Sequence, residues 1–146
     1  MQAEQQISSF KVPPLVERLT AGASAAVMAA GSAAVFYFDP SQHQFFPVCP
    51  LYAMTGLACP GCGLTRGFHS LFHGDLISAV DFNALIPVWA VILSYVLVSL
   101  TLLAIRGKGL PMWPTNPRFM SAFFIALVAF GVLRNIPVWP LTILFP

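Results

Sequence analysis

Long runs without a charged residue organise this chain. Three of them read as candidate spans: Leu19–Phe38 between Arg18 and Asp39, Phe82–Ile105 between Asp81 and Arg106, and Phe119–Leu133 between Arg118 and Arg134. A helix needs about 20 apolar residues to cross a hydrocarbon core of ~30 Å. The first two runs reach that length directly. The third is short if it stops at Arg134, but its start is well marked, because Asn116 can cap a helix that has Pro117 at its first position. Carried on to Ile136, it reaches roughly 20 residues, or about 30 Å at ~1.5 Å per residue. Arg134 then snorkels to the interface, with Trp139 in the aromatic belt. The pattern predicts an all-α integral membrane protein, one domain over residues 1–146, with three transmembrane helices over about 17–38, 83–105 and 117–136.

The stretch between the first two spans is too long for a turn and too apolar for a solvated loop. Asp39-Pro40-Ser41 breaks the first helix. Residues 49–75 then carry all three cysteines: Cys49-Pro50, and ten residues on Cys59-Pro60-Gly61-Cys62. After Cys62 the period turns helical, with Leu64, Phe68, Leu71 and Phe72 on one face. Cys62, Arg66, His69 and His73 fall within a sector of about 60° on another. Gly74 is placed to end this helix and Asp75 to cap the next segment. A short amphipathic helix bearing the Cys-Pro-Gly-Cys box is therefore expected, either lying in the interface or re-entrant between the spans.

Composition supports the bilayer as solvent. Hydrophobic residues make up 58% of the chain and charged residues 8%, against roughly 25% charged in a soluble domain. A net charge of +2 without a basic run leaves nothing to track phosphates, which argues against a nucleic-acid partner. Placement of charge says more than its total. Lys11 and Arg18 precede the first span, and Arg106, Lys108 and Arg118 lie between the second and third, whereas residues 39–81 hold only Arg66 against Asp39, Asp75 and Asp81. The positive-inside rule then puts the N-terminus in the cytoplasm, and the cysteine box and the C-terminal tail on the outer face.

The first span differs from the others in being rich in Ala and Gly. Gly22, Ala26 and Ala30 recur at four-residue spacing, which lets helices approach closely in lipid. That reads as a packing seam, against this chain, a second copy or another membrane protein. The competing reading is a weakly apolar anchor or a cleaved signal peptide. The signal peptide fits less well, because Phe36-Tyr37-Phe38 stand where small cleavage-site residues are wanted.

The run Cys49-Pro50 … Thr55-Gly56 … Cys59-Pro60-Gly61-Cys62-Gly63-Leu64-Thr65-Arg66 … Gly74-Asp75 … Asn83 resembles an uncharacterised family of small bacterial membrane proteins, domain of unknown function 2752. That family is built around a Cys-Pro-x-Cys-Gly-x-Thr-Arg box. The resemblance covers about a third of the chain. It implies a multi-pass protein of the bacterial cytoplasmic (inner) membrane and carries over Cys49, Cys59, Cys62, Thr65 and Arg66 as defining positions. It supplies no activity, and His69 and His73 lie outside its pattern.

Three chemistries compete for the box. In a structural reading, Pro60, Gly61 and Gly63 form turns, Thr65 starts a helix, and Arg66 bonds backbone carbonyls to pin the box against the spans. The protein is then an accessory or scaffold subunit rather than a stand-alone enzyme. In a redox reading, Cys59 or Cys62 attacks and the other resolves, with Cys49 as a third, shuttling thiol; the protein would then be a thiol–disulfide oxidoreductase. In a metal reading, zinc or copper is the cofactor. Cys59, Cys62, His69 and His73 offer four ligands, but one rigid helix would spread Cys62 and His73 too far apart for a single ion. Cys49, Cys59 and Cys62 with His69 form a less strained set. Asn83 reads as the cap of the second span.

Overall fold

The computed structural model describes residues 13–42, 46, 48–111 and 116–139. Six α-helices occur among them: α1 Pro14–Tyr37, α2 Pro50–Thr55, α3 Leu64–Phe72, α4 Leu76–Phe82, α5 Ile86–Arg106 and α6 Pro117–Leu133. The described residues contain no strand. Helices α1 and α5, of 24 and 21 residues, are long and apolar enough to cross a membrane, and α6 is a shorter apolar helix. Bulky apolar side chains stand outward on all three, Val27 at 74%, Val91 at 63% and Phe124 at 67% exposure. Water does not tolerate that much exposed apolar surface on a soluble domain.

Local signals explain most boundaries. Asn116 Oδ1 accepts from Arg118 N at 3.0 Å, with Pro117 opening α6. Asp75 Oδ1 accepts from Ser78 N at 3.0 Å and caps α4. The segment expected to hold one short helix holds three, because Gly56, Gly63 and Gly74 each take a positive φ between or after them, a conformation that ends a helical run. Cys62 therefore precedes α3 instead of riding on it, and His73 is its C-cap. The far end of α6 also departs from expectation. The helix stops at Leu133, and Arg134 is 1% exposed instead of snorkelling outward.

The described residues divide into two compact units, one drawn from the ranges 1–30 and 93–111 and the other from 31–92 and 112–146. In the first, the start of α1 meets the end of α5. Arg18 Nε donates to the carbonyl of Ala104 at 3.0 Å and Nη2 to that of Ile105 at 2.6 Å. These are last-turn carbonyls that the helix itself leaves unpaired. A methyl group added at Gly22 would sit 3.6 Å from Ala104 Cβ, so one position of the expected seam packs within this chain. The segment after α5 folds back along it: Leu110 N donates to Ser99 Oγ at 3.1 Å, and the Tyr95 hydroxyl donates to the carbonyl of Pro111.

The second unit holds the buried positions around which the cysteine box is built. Helices α3 and α4 pack as a hairpin on the first turn of α5, where Ala79 is 0% and Ile86 1% exposed. Gly67 makes this possible: a Cβ there would lie 2.7 Å from Ile86 Cδ1 and 3.0 Å from the carbonyl oxygen of Ala79. The end of α1 also joins this unit. His69 Nδ1 donates to the carbonyl of Val35 at 2.7 Å, and the His73 ring stacks on Phe36 at 4.9 Å.

Candidate metal centre

The box is held by its backbone before its thiols come into play. Every carbonyl from Ala58 through Cys62 accepts from a named donor. Asn135 Nδ2 donates to Ala58 O at 2.8 Å, and Asn135 Oδ1 accepts from Ala58 N at 2.8 Å. Arg134 Nη1 donates to Cys59 O at 2.9 Å and Cys62 O at 3.2 Å. Asn83 Nδ2 donates to Pro60 O at 2.9 Å and Cys62 O at 3.0 Å. Leu64 N donates to Gly61 O at 3.2 Å, and Cys62 N to Cys59 O at 3.0 Å. Buried carbonyls without such donors are costly, so residues from the end of α6 and from the α4–α5 junction fix the shape of the turn. The Pro60 ring lies against Gly131 of α6, where a Cβ would come within 3.0 Å of its Cγ.

That turn aims two thiols at a third. Cys59 Sγ lies 3.3 Å from Cys49 Sγ and 3.4 Å from Cys62 Sγ, and all three sulfurs fall within 4.8 Å of one another. The thiols are free; a disulfide needs about 2.05 Å. Cys49 enters from the start of α2, where Pro50 opens the helix. Gly63, at φ 83°, reverses the chain after Cys62 and starts α3. Cys59 N also donates to Cys62 Sγ at 3.2 Å, a bond that favours sulfur in its negative form.

The three thiols differ electrostatically. Hydrogen bonding from the Tyr52 backbone N–H, and then from the Cys59 thiol, lowers the Cys49 thiol to about 7. Burial pushes the Cys62 thiol up to about 12. A metal ion reverses the second effect, because a coordinating thiol is deprotonated outright. The geometry fits such an ion. Four-coordinate zinc with Zn–S bonds of ~2.3 Å separates its sulfurs by roughly 3.8 Å; the separations of 3.3 and 3.4 Å at Cys59 lie within about half an ångström of that, and the third pair is within 4.8 Å. The Arg134 guanidinium, which bonds the carbonyls of Cys59 and Cys62, supplies positive charge beside their sulfurs.

Of the residues predicted from sequence, Cys49, Cys59 and Cys62 converge, whereas His69 is outside their group, its Nδ1 on Val35. Pro60, Gly61 and Gly63 shape the turn. Thr65 and Arg66 are exposed and line a cavity of about 200 Å³ that Cys49 and Cys62 also border. The carbonyl-binding role expected of Arg66 belongs to Arg134. Asn83 sits at the entrance of α5, with Leu85 N donating to its Oδ1 at 2.9 Å, and in addition ties down the box. Arg134 and Asn135 hold the backbone of the box, a role that the sequence pattern does not reveal. Their only signal is a polar pair at the end of a charge-free run, just before Pro137.

Among known proteins, no curated protein and no solved structure matches the chain. Residues 49–97, from the first cysteine through the first half of α5, match the model of the family described as "Protein of unknown function (DUF2752)".

Proposed function

We propose that this protein binds a thiophilic metal ion, zinc or copper, through Cys49, Cys59 and Cys62 in a bacterial inner membrane. The convergence of three sulfurs within 4.8 Å carries this reading. Three thiolates suit soft and borderline cations and exclude magnesium and calcium. Arg134, Asn83 and Asn135 hold the ligand-bearing turn, as outer-shell groups hold ligands in metal proteins generally. Helices α1, α5 and α6 cross the bilayer, and the bias of Lys and Arg along the chain puts the N-terminus in the cytoplasm and the thiols at the outer face. The test is elemental analysis of the full chain purified in detergent without added chelator. About one equivalent of zinc or copper is expected, and it should be lost in Cys59→Ser. Metal-free protein that takes up neither ion when titrated sinks the proposal.

The ordering of the thiols favours a second reading, a disulfide relay. Cys49 would attack a disulfide of a partner protein, breaking that bond and releasing one partner thiolate. Cys59 would then displace the other partner sulfur from Cys49, leaving a Cys49–Cys59 disulfide and a reduced partner. This reading moves the attacking role to Cys49. It predicts that in metal-free protein alkylation of Cys49 is half-maximal near pH 7 and rises with pH as the thiolate fraction grows, and that Cys59→Ser traps a mixed disulfide. Cys49 labelling that stays slow up to about pH 9, where an ordinary thiol is itself ionised, removes it.

An accessory-subunit role is compatible with either chemistry. It draws on Ala26 and Ala30, both exposed on α1. A co-purifying membrane partner that is lost on Ala26→Leu would support it, and a monodisperse single chain would not.

A further inference from the structure

Metal sites with three protein ligands leave a fourth position for an outside molecule. Which molecule fits depends on the space and charge in front of the thiols. Toward the interior the cluster is closed: Asn83 and Arg134 are each 1% exposed and occupy the carbonyls of the turn. On the other side lies the cavity of about 200 Å³ bordered by Cys49, Cys62, Tyr52, Thr65 and Arg66. At ~30 Å³ per liquid water it holds on the order of six waters, or a molecule with a similar number of heavy atoms. Its wall offers one guanidinium, the hydroxyls of Thr65 and Tyr52, and no carboxylate, so its charge favours an anion. A guanidinium receives a carboxylate through two parallel N–H···O bonds.

Resting on the reading of the thiols as a metal site, we propose that the fourth position opens onto this cavity and takes a small thiol that bears a carboxylate. Its sulfur joins the ion and its carboxylate is received by Arg66, with Thr65 beside it. On joining, the thiol loses its proton to solvent; no electrons move and no bond within the protein breaks. The thiol joins the ion without removing it from the three cysteines, which makes Arg66 a recognition residue for the thiol rather than a clamp on the box.

The experiment uses the full chain in detergent, loaded with cobalt(II), whose sulfur-to-metal charge-transfer bands report the number of bound thiolates. Mercaptoacetate and cysteamine are compared as probes, because they share a thiol and differ in the sign of the attached charge. Mercaptoacetate should intensify the charge-transfer band and saturate at a concentration roughly tenfold lower than cysteamine, as expected for one charge-assisted contact. Arg66→Gln should leave cobalt binding unchanged and bring the two probes together. Equal saturation in the unaltered protein overturns the proposal, as does a band that bleaches because the thiol extracts the ion. Failure of cobalt to give any thiolate band would instead overturn the metal reading itself. Arg66→Lys keeps the charge and loses the fork, so it should retain only part of the preference; a fully retained preference overturns the bidentate contact.

Discussion

Two arginines in this protein do the same thing in different surroundings. Arg18, in the unit formed by the ends of α1 and α5, donates to the carbonyls of Ala104 and Ile105 and is exposed. Arg134, in the unit that holds the cysteines, donates to the carbonyls of Cys59 and Cys62 and is buried. Arg18 answers a general need, since every helix leaves its last carbonyls unpaired and a cation near a C-terminus is favourable. Water could replace it. Arg134 answers a particular one, because the carbonyls it meets belong to the turn that aims the thiols, and its own side chain is 1% exposed. The comparison shows that a cation at a helix end is decoration or architecture according to what it excludes, not what it bonds.

The largest expected effect is therefore at Arg134. Arg134→Met leaves two carbonyls of the box without their charged donor and removes the positive charge beside the thiolates. Zinc affinity should fall about 10- to 100-fold, the range found when outer-shell groups are removed, measured by competition with a chromophoric chelator. Arg134→Lys keeps the charge on a shorter side chain without the planar guanidinium, and its affinity should fall between those of Arg134→Met and the unaltered protein. If Arg134→Met binds metal normally, the distinction between the two arginines collapses. Next comes Asn83→Ala, which strips a donor from the buried carbonyls of Pro60 and Cys62. It should cost about 1–3 kcal/mol, read as a lowered unfolding midpoint in detergent, with metal affinity falling less than in Arg134→Met. The smallest effect is expected for Arg18→Ala: below ~1 kcal/mol, since an exposed contact is replaced by water, with metal stoichiometry unchanged. A large loss of metal in Arg18→Ala would show that the far ends of α1 and α5 govern the cluster.

Much of this is legible in the sequence where the cause is local. Charge-free runs mark α1 and α5; Asn116-Pro117 and Asp75 declare their own helix starts through bonds to residues two and three positions away. The three thiols are legible as one set among several, because Cys49 and the Cys59–Cys62 turn are close along the chain. Arg134 is not. A lone arginine at the end of an apolar run ordinarily snorkels, and its carbonyl partners lie 75 and 72 residues earlier. No local period reports a contact of that range. The one-helix reading of the box fails for a related reason: hydrophobic period sees a face but not the positive φ at Gly63 that takes Cys62 off it.

The distance between Arg134 and its partners has a consequence for biosynthesis. Cys49, Cys59 and Cys62 leave the ribosome well before Arg134 and Asn135, yet the backbone that orients them is complete only when those two residues arrive. The nascent chain thus presents thiols without their scaffold for the time needed to synthesise α5 and α6. The final arrangement of the three thiols is therefore reached only after translation, and a chain truncated after α5 would keep all three cysteines while losing the residues that shape the turn.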